Sequence, residues 1–204
     1  ASFNRKFPNI RLNLEFNLHL DEVCDLLIQG KADIGITFES LLSRECNAYT
    51  LLSENYLLAL PRTEETVLIG SPYSVDGRYR KLQKQDAEII RKFPMINTYR
   101  HEERQESLSK FLGTDLKTSN ISALTLQNRL SFVAQGIGCA ICQEKLVAIE
   151  TAKEKCVFLS LDDLFKPQNL VIAWPQNSYT NTAARLFCKE ALSYYRPNCG
   201  YSDV

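Results

Sequence analysis

Three short stretches carry side chains suited to holding a small polar molecule: Thr37-Phe38, Thr98-Tyr99-Arg100 and Asn120-Ile121-Ser122. The first two close β-prone apolar runs and the third opens a helical pattern. In α/β sheets, ligands sit beyond the carboxyl ends of strands, where helix starts offer free N–H groups. Gly136-Ile137-Gly138 is a fourth candidate, because glycine lets backbone approach a ligand closely. The guanidinium of Arg100 would hold a carboxylate through charged hydrogen bonds worth about 1.5–3 kcal/mol. The plain alternative for each stretch is an ordinary cap or surface turn.

The other reactive residue types do not assemble into catalysis. Cys139-Ala-Ile-Cys142 has the spacing of a redox pair. It falls on a strand pattern, where positions three apart face opposite ways and cannot easily be bridged. Neither cysteine opens a helix that would activate it, so buried packing is expected. The only histidines, His19 and His101, lack converging ligands, and no second CxxC exists to build a zinc site. Ser122 and Cys24 have no nearby histidine base, and there is no nucleophile elbow, phosphate loop or H-E-x-x-H helix. No enzyme activity, cofactor or metal is expected. The run Arg100-His101-Glu102-Glu103-Arg104 could gate a cleft; a solvated helix start with mutual ion pairs is the expected reading, since exposed pairs contribute little.

The elements that must position these residues follow from periodicity. Phe3 and Phe7 share the face of a helix end closed by Pro8. Residues 10–16 alternate apolar and polar, a strand pattern. Residues 20–28 switch to helical spacing and stop at Gly30, and residues 33–37 form a second strand, so a βαβ unit with a parallel sheet is expected. Further strands are expected at 55–60, 95–98, 136–142, 156–161 and 170–174. Helices are expected at 81–93, around Leu108 to Gly113, at 120–135 with Ser122 as N-cap, and in a last helix through Tyr195. The class is α/β.

Composition narrows the function. The chain has 204 residues, 45% hydrophobic, enough for one core or two lobes of about 100 residues each. Lys+Arg and Asp+Glu both number 24, so no basic excess points to direct nucleic-acid binding. No apolar run is long enough for a membrane span, and the first ten residues lack a signal-peptide pattern. Seven cysteines, an odd number mostly among apolar neighbours, suit reduced thiols in a cytoplasm.

Four segments, in order, resemble the effector-binding domain of LysR-type transcriptional regulators. They are residues 3–37 (FNRKFPNIRLNLEFNLHLDEVCDLLIQGKADIGIT), 51–61 (LLSENYLLALP), 132–142 (FVAQGIGCAIC), and the closing strand and helix over 170–194. Gln143 stands where the family has proline after its glycine loop, and the family's first strand, which precedes the opening helix, is not in the chain. The resemblance implies two Rossmann-like lobes joined by two crossover strands, as in type 2 periplasmic binding proteins. Residues 1–61 plus 171–204 would form lobe I and 62–170 lobe II, crossing at 56–61 and 170–175. It further implies a small, anionic metabolite bound between the lobes by Thr37, Phe38, Thr98, Tyr99, Arg100, Asn120, Ser122, Ile137 and Gly138. The ligand would favour one lobe angle. A homodimer or homotetramer would pass that change to winged helix-turn-helix domains upstream, the part that contacts DNA, with the helix over 20–28 packing on a partner's second lobe. Such a regulator is cytoplasmic. An extracytoplasmic solute-binding protein shares the two-lobe plan but needs export, and an enzyme on the scaffold needs converging acid, base or nucleophile groups.

Overall fold

A computed structural model of the chain describes residues 2–15, 22–97, 102–123, 125–176 and 181–195. In chain order the helices and strands are α1 (Ser2–Lys6), α2 (Glu22–Ile28), β1 (Gly35–Phe38), β2 (Cys46–Glu54), β3 (Tyr56–Pro61), α3 (Ala87–Ile90), α4 (Glu102–Leu112), α5 (Leu126–Ala134), β4 (Ala140–Gln143), α6 (Glu144–Val147), β5 (Cys156–Ser160), β6 (Gln168–Pro175) and α7 (Thr182–Tyr195). The chain divides into two compact units, Ala1–Ser53 with Gln168–Val204, and Glu54–Pro167.

The first unit is built on a sheet of order β1-β6-β2. Strand β1 runs antiparallel to β6, with Gly35 opposite Ala173 and Phe38 opposite Leu170. Neighbouring strand residues face opposite ways, so β6 sends Ala173 and Ile172 to different layers. Ala173 meets Cys24 and Leu27 of α2, while Ile172 meets Cys188 and Leu192 of α7. The sheet is thus covered on both faces. Helix α2 lies so close that a Cβ at Gly35 would stand 2.3 Å from a methyl of Val23. Phe3 of α1 is buried, with ring centroids 5.0 Å from Phe7 and 5.2 Å from Phe187.

The second unit has sheet order β4-β3-β5, and both ladders are antiparallel. Every residue of β3 is buried, the expected consequence of covering both faces of a central strand. Leu58 and Leu60 enter a core completed by Ile90, Leu108 and Leu112 of α3 and α4. Leu57 and Ala59 enter a second core with Leu130 and Val133 of α5. Burying each such leucine contributes roughly 1.5–3 kcal/mol.

Several expectations need correction. Residues 10–15 form no strand, and Phe16 lies outside the described residues. Alternation selects a face, but a strand also needs a ladder partner. Leu14 stays 66% exposed. The parallel βαβ sheet is not what β1 forms, since its ladder with β6 is antiparallel. Parallel pairing occurs instead as isolated bridges in the second unit, from Lys81 to Ser160 and from Met95 to both Thr118 and Cys139. Strand β3, assigned from sequence to the first lobe, hydrogen-bonds to β4 and β5 in the second unit. The helix expected over 81–93 shrinks to a 3-10 turn, Lys84–Asp86, and α3. Arg80 explains part of this: it binds the buried Asp86 carboxylate at 2.7 Å, while Asp86 accepts from Gln83 N at 2.8 Å, fixing a turn where a helix would run.

Candidate functional site

In the second unit, three short segments lie side by side. Ile96 N donates to Cys139 O at 2.8 Å, Ser119 N to Met95 O at 2.8 Å, and Ala123 N to Asn97 O at 3.1 Å. The bridges through Met95 are parallel, so the segments leave the sheet in the same direction. Their carboxyl ends, at Asn97 and at residues 120–122, therefore share one edge, the edge that α/β sheets use for ligands.

A groove of about 530 Å³ opens there, with Asn97, Gln105, Thr118 and Ser122 in its walls. Gln105 organises the floor. Its amide donates to Leu116 O at 2.7 Å and to Thr118 Oγ1 at 3.0 Å, and its carbonyl accepts from the amide of Asn97. Because these groups hold one another, the surface offered to a ligand is preorganised. The charged wall residues are Glu102, Glu106 and Asp115 against Lys110, a negative balance. The Lys110 ammonium lies 3.8 Å from the Glu106 carboxylate.

The sequence-predicted residues fare unequally. Ser122 lines the groove, whereas Asn120 is exposed and does not. Ser122 is not a helix cap: α5 starts at Leu126, and Thr125 Oγ1 accepts from Asn128 N at 3.3 Å. The backbone of residues 119–123 is instead held along residues 95–97 by the bonds above, which prevents a helix from starting at 120. Gly136 has φ 80° and ends α5, with Ile137 N donating to Phe132 O at 3.1 Å. Gly138 serves the chain's own packing, since a Cβ there would stand 2.2 Å from Pro94 O. Thr37 is fully buried in β1 and Phe38 is 8% exposed, both in the first unit. Thr98, Tyr99 and Arg100 lie outside the described residues.

Asn97, Gln105 and Thr118 escaped the sequence reading. A signal existed: Glu102, Gln105, Glu106 and Ser109 are spaced i, i+3, i+4, i+7, a polar stripe along α4. Within the charge run 100–104, Arg104 also reaches the sheet, its Nη2 donating to the hydroxyl of Tyr56 at 2.8 Å. The two CxxC cysteines do face opposite ways, with Cys139 in one core and Cys142 in the other. Cys139 Sγ lies 3.2 Å from Met95 Sδ, and burial pushes its thiol up to about 12. Cys142 Sγ donates to Leu57 O at 3.5 Å, and burial raises its thiol further still. Among the described residues no group of acidic, histidine and cysteine side chains converges as a metal site.

Two units, one a sheet with helices on both faces and the other a sheet between two cores, define a mixed α/β fold of the type 2 periplasmic-binding-protein kind. The LysR substrate binding domain model matches residues 1–196, and the chain belongs to that family. It is a LysR-type effector-binding domain. Comparison of the sequence with curated proteins gave no match. Among solved structures, it is similar to the C-terminal domain of a probable LysR family regulator from Rhodococcus sp. RHA1, with 16% identity, TM-score 0.69, and 93% and 88% of the two chains covered. It is also similar to the regulatory domain of CcmR from Synechocystis PCC6803 in complex with 2-PG, with 12% identity, TM-score 0.72 and coverages of 97% and 89%. HinK, a LysR family regulator from Pseudomonas aeruginosa, matches with 18% identity and TM-score 0.70; 95% of this chain covers 62% of that one. The chain thus spans less than two thirds of HinK. No described helix is long and apolar enough to cross a membrane.

Proposed function

We propose that this chain is the sensing part of a cytoplasmic transcription regulator, and that the groove at Asn97 and Ser122 takes its effector. The two compact units are, on this reading, the two lobes expected from the resemblance. The groove's place at the shared carboxyl edge carries the reading; the 2-PG seen with CcmR supports a small metabolite as ligand. The expected anion does not suit the described walls, where three carboxylates stand against one ammonium. A ligand that brings an ammonium group or several hydroxyl donors fits that charge better.

The chain acts by binding and carries out no turnover. DNA contact falls to another part of the regulator, and subunit pairing transmits the signal. A ligand can drive that change only if it binds one state more tightly than the other. The test is a thermal-shift screen with amino acids, diamines, polyols and dicarboxylates. A ligand at a hundred times its Kd stabilises by about 2.7 kcal/mol. Shifts with amines or polyols that vanish in Ser122→Ala and Asn97→Ala support the groove. Shifts confined to dicarboxylates, or unchanged in both variants, remove it.

A further inference from the structure

The side-chain amide of Gln105 has no freedom left. Its Nε2 donates to Leu116 O at 2.7 Å and to Thr118 Oγ1 at 3.0 Å. Its Oε1 accepts from the Thr118 hydroxyl at 3.3 Å and from Asn97 Nδ2. Both N–H donors and both acceptor lone pairs of the amide are engaged. Leu116 O decides which way round the group sits. A backbone carbonyl only accepts, so the Gln105 nitrogen must face it and the Gln105 oxygen must face Asn97. That oxygen also only accepts, so Asn97 must present its Nδ2. The Asn97 carbonyl oxygen, Oδ1, is thereby turned away from Gln105, and among the described residues nothing donates to it.

The backbone around these side chains is pinned as well. Leu116 N donates to Ser109 Oγ of α4 at 3.3 Å, Met95 N to Lys117 O at 2.7 Å, and Ala123 N to Asn97 O at 3.1 Å. The polarity that Asn97 offers is therefore set from Leu116, through Gln105, before any ligand arrives.

We propose that Gln105 is the positioning residue that sets the ligand class of the groove: it holds Asn97 with Oδ1 free, so that the groove takes a primary ammonium and rejects a carboxylate. This rests on the reading of the groove as the effector site. An ammonium has donors and no acceptor, which suits Oδ1, whereas a carboxylate would meet it lone pair to lone pair. Glu102, Glu106 and Asp115 in the walls act in the same direction. Their charges are screened by salt, but the orientation of an amide is not. The Ser122 hydroxyl both donates and accepts, so it adds no preference.

The experiment follows the isotope-labelled intact chain by NMR at high salt, as putrescine or succinate is added. These probes share a carbon skeleton and have opposite polarity. The Asn97 side-chain signal is the one that Asn97→Asp removes. In the unsubstituted chain its amide protons should exchange slowly with water. Putrescine should shift Asn97 and Ser122, and succinate should not. Gln105→Met keeps the length without polar atoms; it should make that exchange fast and weaken putrescine about tenfold, the worth of one charged hydrogen bond. Gln105→Glu still offers Asn97 Nδ2 an acceptor and should retain the slow exchange and the preference. If Gln105 served only to hold Leu116, Glu would do at least as much damage as Met, since its oxygen would face Leu116 O. Where the variants fail to fold, the exchange rate and the two titrations of the unsubstituted chain decide. Fast exchange of the Asn97 amide there overturns the proposal, as does undiminished discrimination in Gln105→Met. Succinate shifting Asn97 and Ser122 also overturns it but leaves the groove in place. Shifts at neither residue with either probe remove the groove itself, and the proposal with it.

Discussion

The guanidinium of Arg104 lies 4.6 Å from the centroid of the Tyr56 ring while its Nη2 donates to the same residue's hydroxyl at 2.8 Å. Tyr56 opens β3, the buried central strand, and Arg104 is in the first turn of α4, so this contact ties the helix bearing the groove to the sheet. Tyr56→Phe keeps the ring and removes the hydroxyl. It should cost about 0.5–1.5 kcal/mol in urea unfolding, the net value of one hydrogen bond. Arg104→Ala also removes the cation over the ring and should cost roughly 0.5–1 kcal/mol more. Equal losses in the two variants would show that the cation over the ring contributes nothing.

Glu54 gives a prediction in pH. Its carboxylate is 1% exposed, and Oε2 accepts from Lys145 N at 2.9 Å. Among the described residues Oε1 has no hydrogen-bond partner. Burial, the largest influence, raises the carboxyl above its usual 4.5; the backbone N–H and charge of Lys145 pull it down, and Glu144 adds to the rise. A raised acid binds its proton more tightly when folded than when unfolded. That contribution to stability is complete below the unfolded value and is lost as pH rises through the folded one. Glu54→Gln keeps an acceptor for Lys145 N and removes the charge. It should therefore gain on the natural chain between pH 4 and pH 7. Unfolding midpoints at both values measure this, and a variant that loses ground toward pH 7 contradicts it.

Gly138 and Gly30 separate two reasons for glycine. At Gly138 an added methyl meets the backbone carbonyl of Pro94 at 2.2 Å, and backbone on both sides leaves little room to yield. Gly138→Ala should cost about 1–3 kcal/mol through overpacking. Gly30 has φ 66° and open space around its Cβ position. Gly30→Ala should cost roughly 1–2 kcal/mol, from conformation alone. Repacking is what distinguishes them: a crystal structure of Gly138→Ala should show the 94–97 segment displaced, and one of Gly30→Ala should not.

Such relationships mark what the sequence could disclose. Runs whose apolar residues fix a buried face were legible: β3, β5, β6 and α7 lie close to their expected places because period and burial agree. Residues 10–15 show the limit, because their alternation is real but pairing depends on which strand comes alongside, a non-local fact. The groove was partly legible for the same reason. Ser122 was found as a polar residue at an element's end, though the inferred helix start was wrong. Asn97, Gln105 and Thr118 come together through the parallel bridges at Met95, and no local pattern states those. Gly138 was read as making room for a ligand, when the chain itself fills that room.

The start of α5 offers the sharpest test of that difference. Local rules nominate Ser122, since serine before a helical run is a preferred cap. The structure gives the cap to Thr125, three residues later, whose Oγ1 accepts from Asn128 N. A cap replaced by alanine costs about 0.5–2 kcal/mol, whereas an exposed serine on a groove wall costs little. Thr125→Ala should therefore lower the urea midpoint while Ser122→Ala leaves it within error. If Ser122 also touches the effector, only its variant should lose the ligand-induced thermal shift once Thr125→Ala is compared at matched stability. The reverse pattern, stability lost at Ser122 and ligand response lost at Thr125, would restore the longer helix and move the groove's edge with it.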